Sequence, residues 1–237
     1  MEASNLFYRD PALYDAVQED SGSAAACRAL IERHRPDAAT LADFGCGTGR
    51  DLGILAERFG CVGVDIQPGL VDYARRVRPA LDIRLGDMRT VRLRRYVDAV
   101  VCLGNSLAYV HDNDGISAVF ATFAAHALPG TLLVLCSPVS PTVRPEPATA
   151  TVATPAGPAQ VTIGYEWDLR TQIDTMHRRW ALPSGDEAHD TIRRRVLFPR
   201  ELEHYASCAG FEVLDMLNDP NAALTGPIAY TVARYAP

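Results

Sequence analysis

The spacing of apolar residues changes along this 237-residue chain, and the changes mark its parts. Residues 1–22 carry Phe7, Tyr8, Leu13 and Tyr14 among acids and read as a short helix or two. Cys27, Leu30, Ile31 and His34 then recur at the spacing of one helix face, with Ser23 placed to cap it and Pro36 to stop it. From residue 40, short apolar runs alternate with helical spacing: strand 40–44, helix 49–59, strand 61–65, helix 68–77, strand 81–85. Pro68 suits a first helical turn, where its missing N–H is no loss. Val97 to Leu103 is a fourth strand, Ile116, Val119, Phe120 and Phe123 make a further helix face, and Thr131 to Cys136 is a fifth strand. Strands separated by helices imply parallel pairing with helices on both faces, because each crossover packs back on the sheet it leaves.

After Cys136 the pattern lapses. Pro138, Pro141, Pro145, Pro147, Pro155 and Pro158 stand among Ser, Thr and Ala, and a linker is expected, part of it mobile. Alternation then takes over. Val161, Ile163, Tyr165, Trp167 and Leu169 share one strand face, and Thr162, Glu166 and Asp168 share the other. Ile173 to Leu182 and Asp190 to Phe198 repeat the pattern around a turn at Ser184-Gly185-Asp186. An antiparallel insert of about three strands is expected. Pro199 opens a helix with Leu202, Tyr205 and Ala206 inward, and Gly210 closes it. Phe211 to Leu214 and Ile228 to Val232 form a terminal strand pair. The expected division is a cap and ligand-binding core over 1–136, a proline-rich linker and lid insert over 137–198, and a C-terminal helix with the last core strands over 199–237.

The segment Asp43-Phe44-Gly45-Cys46-Gly47-Thr48-Gly49 joins the first core strand to its helix. A glycine-dense βα turn lets backbone approach a ligand where a Cβ would clash, and an acid at the strand tip can accept from a cationic group. The dinucleotide register G-x-G-x-x-G fails: the sixth residue from Gly45 is Arg50, and from Gly47 it is Leu52. A phosphate loop needs a lysine, and the chain has none. Two more strands end in acids, Asp65 after Cys61-Val62-Gly63-Val64 and Asp87 in Gly86-Asp87-Met88. A carboxylate at Asp65 can take both hydroxyls of a ribose.

The D-x-G-x-G-x-G run resembles motif I of the class I methyltransferases that use S-adenosyl-L-methionine. The resemblance implies a Rossmann-like, seven-stranded, mostly parallel α/β sheet with an antiparallel β insert. It implies S-adenosyl-L-methionine as cofactor and S-adenosyl-L-homocysteine as product. Gly45, Cys46 and Gly47 would then admit the methionyl part with Asp43 near its ammonium, and Asp65 with Ile66 would meet the ribose. Asp87 would accept from the adenine amino group, and the Met88 N–H would face a ring nitrogen. The run Leu103-Gly104-Asn105-Ser106 resembles the glycine N-methyltransferase group. Core order, insert position and length look like the N,N-dimethyltransferases of antibiotic amino sugars. By this likeness Leu103 and Gly104 line the methionyl end and Asn105 faces the acceptor; on its own, Asn105 reads equally as a turn residue. Tyr14 matches an N-terminal tyrosine that bonds the methionyl carboxylate, and it is a candidate at the reacting centre. The glycine enzymes carry a His-Arg-Asn segment after the fifth strand for the substrate carboxylate. Here that place holds Ser137-Pro138-Val139, which points to a larger, less anionic acceptor.

A sulfonium methyl is already activated, so such a protein needs to align a nucleophile and exclude water rather than carry a fixed triad. Tyr8, Tyr109, Trp167 and Trp180 are aromatic candidates for the acceptor pocket; Tyr109 can hold an amine by cation–π attraction or simply pack a helix start. His177 is a candidate proton acceptor and Glu166 a candidate acceptor-binding acid, although a strand His or Glu is more often solvated. The formal charge is −6, and Arg92 to Arg95 and Arg193 to Arg195 are short runs that read as solvated edges, so nucleic acid is not an expected partner. The six cysteines show no C-x-x-C and no metal-ligand spacing, so no metal is expected and a reducing cytoplasm fits. No apolar run reaches the ~18 residues of a membrane span. The insert is also a candidate dimer surface. The reading is a methyltransferase of the EC 2.1.1 class acting on a small molecule, with N-methylation of an amine in a specialised metabolite such as an antibiotic favoured. O- or C-transfer, or a binding protein that transfers nothing, are the alternatives.

Overall fold

The computed structural model describes residues 5–18 and 22–237. Two short helices, α1 (Leu6–Arg9) and α2 (Pro11–Val17), precede α3 (Ser23–His34). Asn5 and Asp10 cap the first two by accepting from Phe7 N and Leu13 N. Ser23 lies inside α3 rather than capping it, because Gly22 takes the cap position at φ 69°, which a glycine adopts without strain.

The core alternation gives β1 (Thr40–Phe44), α4 (Arg50–Leu55), β2 (Gly60–Asp65), α5 (Pro68–Val77) and β3 (Asp82–Leu85). It continues with β4 (Ala99–Cys102), a 3-10 turn (Ser106–Tyr109), α6 (Asn113–Ala124) and β5 (Leu132–Pro138). The chain returns to this sheet through α7 (Pro199–Cys208), β10 (Phe211–Asp219), β11 (Ala222–Ala223) and β12 (Ile228–Tyr235). The order is β11-β10-β12-β5-β4-β1-β2-β3. The five strands from β5 to β3 are parallel, and the pairings β5–β12, β12–β10 and β10–β11 are antiparallel. The expected seven strands are all there; β11 adds a two-residue edge.

Successive residues of each strand feed opposite layers. Phe44, Val64, Cys102 and Leu135 pack with Phe120 and Phe123 of α6 and Leu202 of α7. Leu41, Val101 and Val134 pack with Leu30 and Ile31 of α3 and Leu52 and Leu55 of α4. Each large aliphatic or aromatic side chain so buried contributes ~1.5–3 kcal/mol. The strand order reverses between β1 and β4, and the carboxyl ends there leave a crevice that helices on the two faces do not fill.

A second, four-stranded antiparallel sheet holds β6 (Ala148–Thr154), β7 (Gly157–Asp168), β8 (Ile173–Ala181) and β9 (Glu187–Arg195), in that order. It has one strand more than the sequence suggests. The missed strand, β6, lies inside the proline-rich stretch expected to be a linker. Prolines flank it at 147 and 155, and it sits at a sheet edge, where proline is tolerated. Phe7 and Leu13 of the cap pack on Ala159, Val161 and Trp180 of this sheet.

A buried ion pair fixes that contact. Arg178 donates through Nε to Asp190 at 2.8 Å and through Nη2 both to Asp190 and to Asn5 Oδ1, the latter at 3.0 Å. Asp190 also accepts from Leu6 N at 2.7 Å. The guanidinium lies 4.4 Å from the Phe7 ring centroid and 5.1 Å from that of Trp180. The pair is all but closed to solvent, with side-chain exposures of 6% and 0%. Removing one partner strands the other charge in apolar surroundings, which costs about 3–5 kcal/mol. Asp190→Ala is therefore expected to lower stability in urea by about that amount, and the double substitution Arg178→Met/Asp190→Leu by much less. Equal losses in the two variants would show that the pair's charges are not what holds the cap.

Candidate functional site

The crevice at the β1/β4 reversal opens into a cavity of about 500 Å³. Phe7, Tyr8 and Tyr14 roof it from the cap, and Gly45, Gly47 and Asp65 floor it from the tips of β1 and β2. Gly104 and Asn105 enter from the tip of β4, and Met176, Arg178, Ile192 and Arg194 close it from the second sheet.

The glycine loop is built to admit backbone contact. Gly45 and Gly47 have φ of 89° and 55°, where a side chain is strained. A Cβ on Gly45 would stand 2.4 Å from Ser106 Cβ and 2.5 Å from its Oγ. Ser106 Oγ donates to Gly45 O at 3.0 Å, which ties the turn after β4 to the loop. Cys46 faces away from ligand space: a Cβ on Gly63 would meet its Sγ at 2.7 Å, so the thiol fills the groove that glycine leaves in β2. Burial pushes that thiol well above its ordinary range and keeps it protonated.

Asp65 accepts from Gly47 N and Gln67 N, each at 2.8 Å. Burial raises its carboxyl, and the backbone donors of Gln67, Gly47 and Ile66 pull it back. Ile66 itself is half exposed just beyond. Asp43, next to the loop on the α3–α4 side of β1, is 2% exposed, and its Oδ1 has no hydrogen-bond partner. Burial, then the nearby Asp51 and Asp65, push its carboxyl well above the usual range. It lines a small pocket beside the main cavity together with Leu103, Gly104, Tyr14 and Arg50. A buried acceptor without a partner is costly, and an ammonium placed there would satisfy it.

Tyr14 reaches across the cavity. A Cβ on Gly47 would lie 3.8 Å from its ring, and one on Gly104 would lie 3.9 Å from its hydroxyl. Burial, partly offset by Arg50, brings its phenol up to about 12. Arg50 sits 5.9 Å from the Tyr14 centroid and bonds Asp51 at 2.7 Å. The sequence reading did not single out Arg50. Its signal was there, since a base directly following the third glycine is suited to a carboxylate lying along the loop. Asp15 of α2 accepts from Thr48 and, at 2.8 Å, from Arg78, and so locks the cap onto the same loop.

Gly104 and Asn105 both take left-handed backbone, at φ 61° and 65°. Asn105 N donates to Cys136 O at 3.2 Å, while its Oδ1 is buried without a partner. Tyr8 and Tyr109 stand as a pair with ring centroids 6.2 Å apart. Tyr8 backs onto the start of α5, where a Cβ on Gly69 would lie 3.7 Å from its carbonyl oxygen. Its hydroxyl is raised by burial, then by Tyr109 and by the Asp65 charge. The pair thus lines the cavity within the influence of Asp65.

The other candidates are not among the residues that line the cavity. The Asp87 carboxylate is held by Arg89 at 2.6–3.0 Å, which keeps it below the usual range. Met88 reaches the glycine loop, with its Cε 3.3 Å from where a Gly45 Cβ would be. His177 and Glu166 pair with each other at 3.5 Å on the exposed face of the second sheet. Strand alternation turns Met176 and Arg178 into the cavity and His177 away from it, which removes His177 and Glu166 from the site. Trp167 is on the inward face but pairs with Asp174 near the end of β7, outside the cavity lining, and Trp180 packs into the core under the cap. Arg178 and Arg194 reach the cavity from a sheet far along the chain from Ser137-Pro138-Val139. Among the described residues no group of three or more His, Cys, Asp or Glu could hold a metal ion, and no helix is long and apolar enough to cross a membrane.

Comparison with known proteins agrees with this geometry. The methyltransferase-domain family matches residues 41–130, the stretch from β1 to the turn before β5. The chain is 32% identical over 223 residues to the dTDP-3-amino-3,6-dideoxy-alpha-D-glucopyranose N,N-dimethyltransferase of Streptomyces fradiae, covering 88% of this chain and 86% of that one. It is 34% identical over 107 residues, 45% of each chain, to the dTDP-3-amino-3,4,6-trideoxy-alpha-D-glucopyranose N,N-dimethyltransferase of Streptomyces venezuelae. Among solved structures it resembles the S-adenosylmethionine-bound amino pentose methyltransferase from Micromonospora echinaspora involved in calicheamicin biosynthesis. That likeness has a TM-score of 0.81 and 27% identity, over 93% of this chain and 96% of that one.

Asp43 yields a test with a definite sign. A carboxyl raised by folding lends stability below its ordinary range and loses it as pH rises through the raised value. Asp43→Asn is neutral at every pH. It is expected to leave the ligand-free protein at least as stable as the parent above neutral pH, while weakening S-adenosylhomocysteine binding by roughly tenfold to hundredfold. Thermal unfolding across pH and calorimetry measure the two. Undiminished affinity in the variant would take Asp43 out of the cofactor site.

Proposed function

Because this chain belongs to the class I S-adenosylmethionine-dependent methyltransferases, we propose that it methylates the amino group of a nucleotide-linked amino sugar, twice in succession, on the way to a specialised metabolite. The observation that carries the reading is the partnerless Asn105 Oδ1 in a cavity that the glycine loop and Asp65 also line, with Asp43 in the small pocket beside it. The substrates named for the Streptomyces relatives support the choice of acceptor.

The residues present fit the cofactor. The orphaned oxygen of Asp43 suits its ammonium, and the glycine loop, closed to any Cβ by Ser106, suits its methionyl chain. Arg50 and the Tyr14 hydroxyl suit its carboxylate, and the Asp65 oxygens keep lone pairs for the ribose hydroxyls. Asp87 and Met88 are assigned to the purine, with Tyr8 and Tyr109 over the sugar. When bound, the sulfonium supplies a methyl group already activated for direct displacement.

What remains for the chain is to align, dehydrate and manage one proton. Asn105 Oδ1 accepts an N–H of the acceptor amine and so directs the nitrogen lone pair across the cavity. Phe7, Tyr14 and Met176 keep water from the reacting line. Tyr14 and Tyr8 have phenols raised by burial and stay protonated, so they serve as donors and not as bases. The amine must therefore arrive neutral, and the proton released after each transfer leaves through the cavity mouth. Asn105 takes no part in proton transfer, which leaves it free to bind the monomethylated amine for a second round.

Purified protein given methyl-labelled cofactor and a dTDP-3-amino-sugar is expected to form mono- and then dimethylated product. The kcat/KM should rise with pH along the acceptor amine's own titration. Asn105→Ala is expected to lose roughly tenfold in kcat/KM. Label appearing on phenols but never on amines would overturn the assignment.

A further inference from the structure

Arginines 193, 194 and 195 follow one another on β9 and meet three different fates. Arg193 is exposed. Arg195 is buried outside the cavity lining and engaged through its terminal nitrogens: it donates to His111 O at 3.0 Å, Asn113 Oδ1 at 2.9 Å and Gln172 Oε1 at 3.0 Å, with Glu201 3.6 Å away, and only its Nε lacks a partner. Arg194 lines the large cavity, and its Nε is buried without a hydrogen-bond partner. Its side chain makes no ion pair among the described residues. The absence of a partner is not for want of an acid nearby. Asp174 lies directly opposite in register on β8 and faces the same way. It spends one oxygen on Thr142 N at 3.3 Å, and its other oxygen, buried, has no partner either. An arginine that passes over an available carboxylate and stands in a cavity with a bare N–H is placed for an anion that enters from outside. Arg178, the other lid cation in the cavity, is already committed to Asp190 and Asn5. Arg50 and Asp65 belong to the cofactor end.

We propose that Arg194 is a specificity-determining residue that grips the acceptor by its diphosphate. The proposal rests on the reading of the acceptor as a nucleotide-linked amino sugar and deepens it. The guanidinium fork matches two phosphoryl oxygens at once, and a site partly shut off from water strengthens each bond. The position also fits the division of labour. The amine end of the acceptor meets Asn105 at the tip of β4, and the anionic end meets the second sheet. A sugar lying between the two walls would be held at both ends, with its amino group set by the distance to the diphosphate. This explains how the chain can lack a cation after β5 and still recognise an anionic substrate.

The test titrates S-adenosylhomocysteine-saturated protein with dTDP and, separately, with deoxythymidine. The parent is expected to bind dTDP far more tightly than deoxythymidine. Arg194→Met should lose roughly tenfold to hundredfold in dTDP affinity and Arg194→Lys less, with S-adenosylhomocysteine affinity retained as evidence of a folded site. In turnover the same loss should fall on KM for the nucleotide-linked sugar. Arg193→Met, altered on the exposed neighbour, serves as the control with parental kinetics. Equal dTDP affinity in the parent and Arg194→Met, or a parent that binds deoxythymidine as well as dTDP, overturns this inference while methyl transfer stands. Tight binding of a tricarboxylate such as citrate in place of dTDP, lost in Arg194→Met, overturns the diphosphate assignment in favour of a carboxylate acceptor. A parent that fails to bind S-adenosylhomocysteine takes down both readings.

Discussion

The tip of β2 holds the site together. Val64 O accepts from Gly45 N at 2.7 Å and from Cys46 N at 3.0 Å, and the next residue, Asp65, accepts from Gly47 N. Three successive N–H groups of the glycine loop are thus pinned to one strand end, which fixes where the floor of the cavity lies. Everything above is referenced to that floor. Ser106 binds the loop to the tip of β4, and Asp15 binds the cap to it through Thr48. The loop can be held so closely only because glycines at 45 and 63 leave no Cβ in the way and Gly47 takes its left-handed backbone without strain. Cys46 fills the notch in β2 that Gly63 provides, so a residue adjacent to the ligand is spent on packing.

The cap is the element that makes one chamber from two sheets. On one side it reaches the cofactor loop through Asp15, Arg78 and Tyr14. On the other it is clamped to the second sheet by the buried Arg178–Asp190 pair and by Phe7 on Trp180, with ring centroids 5.9 Å apart. A buried ion pair adds little net stability, but its geometry is specific, and here it sets the position of α1 against β8 and β9. Tyr8 and Tyr14 then line the cavity from these two short helices. The two ends of the cavity differ in chemistry. Asp43 and Asp65 lie in an acidic, backbone-rich pocket, whereas the lid side presents arginine and apolar surface. On the proposed function, that asymmetry would orient a cofactor with an ammonium and a diol against an acceptor with an anionic tail.

The loop, the acids and the core strands were legible in the sequence because each depends on local order. Glycines that need left-handed backbone, an acid at a strand tip and period-matched apolar runs are all set within a few residues. Arg50 was equally local and could have been read from its place after Gly49. The lid was harder. Strand β6 hid behind prolines that an edge strand tolerates. His177 attracted notice as a histidine in the insert, yet its neighbours Met176 and Arg178 are the ones turned inward. The sequence shows that residues 176 and 177 face opposite ways; it does not say which face meets the cavity, since that follows from how the cap docks. The pairing of Tyr8 with Tyr109 is hidden from the sequence for a similar reason, because it arises from the packing of α1 on distant elements.

By itself the sequence determined a three-layer core with a glycine loop and acids at successive strand tips, because those features follow from backbone sterics and from residue period. Only the tertiary structure decided which arginines matter. Arg193, Arg194 and Arg195 are indistinguishable as letters, and one is solvated, one stands in the cavity and one is locked to the core. Their fates depend on what each strand face meets, and that depends on contacts between elements far apart in the chain. Charge at such a site is a property of desolvation and partners, which no local pattern carries.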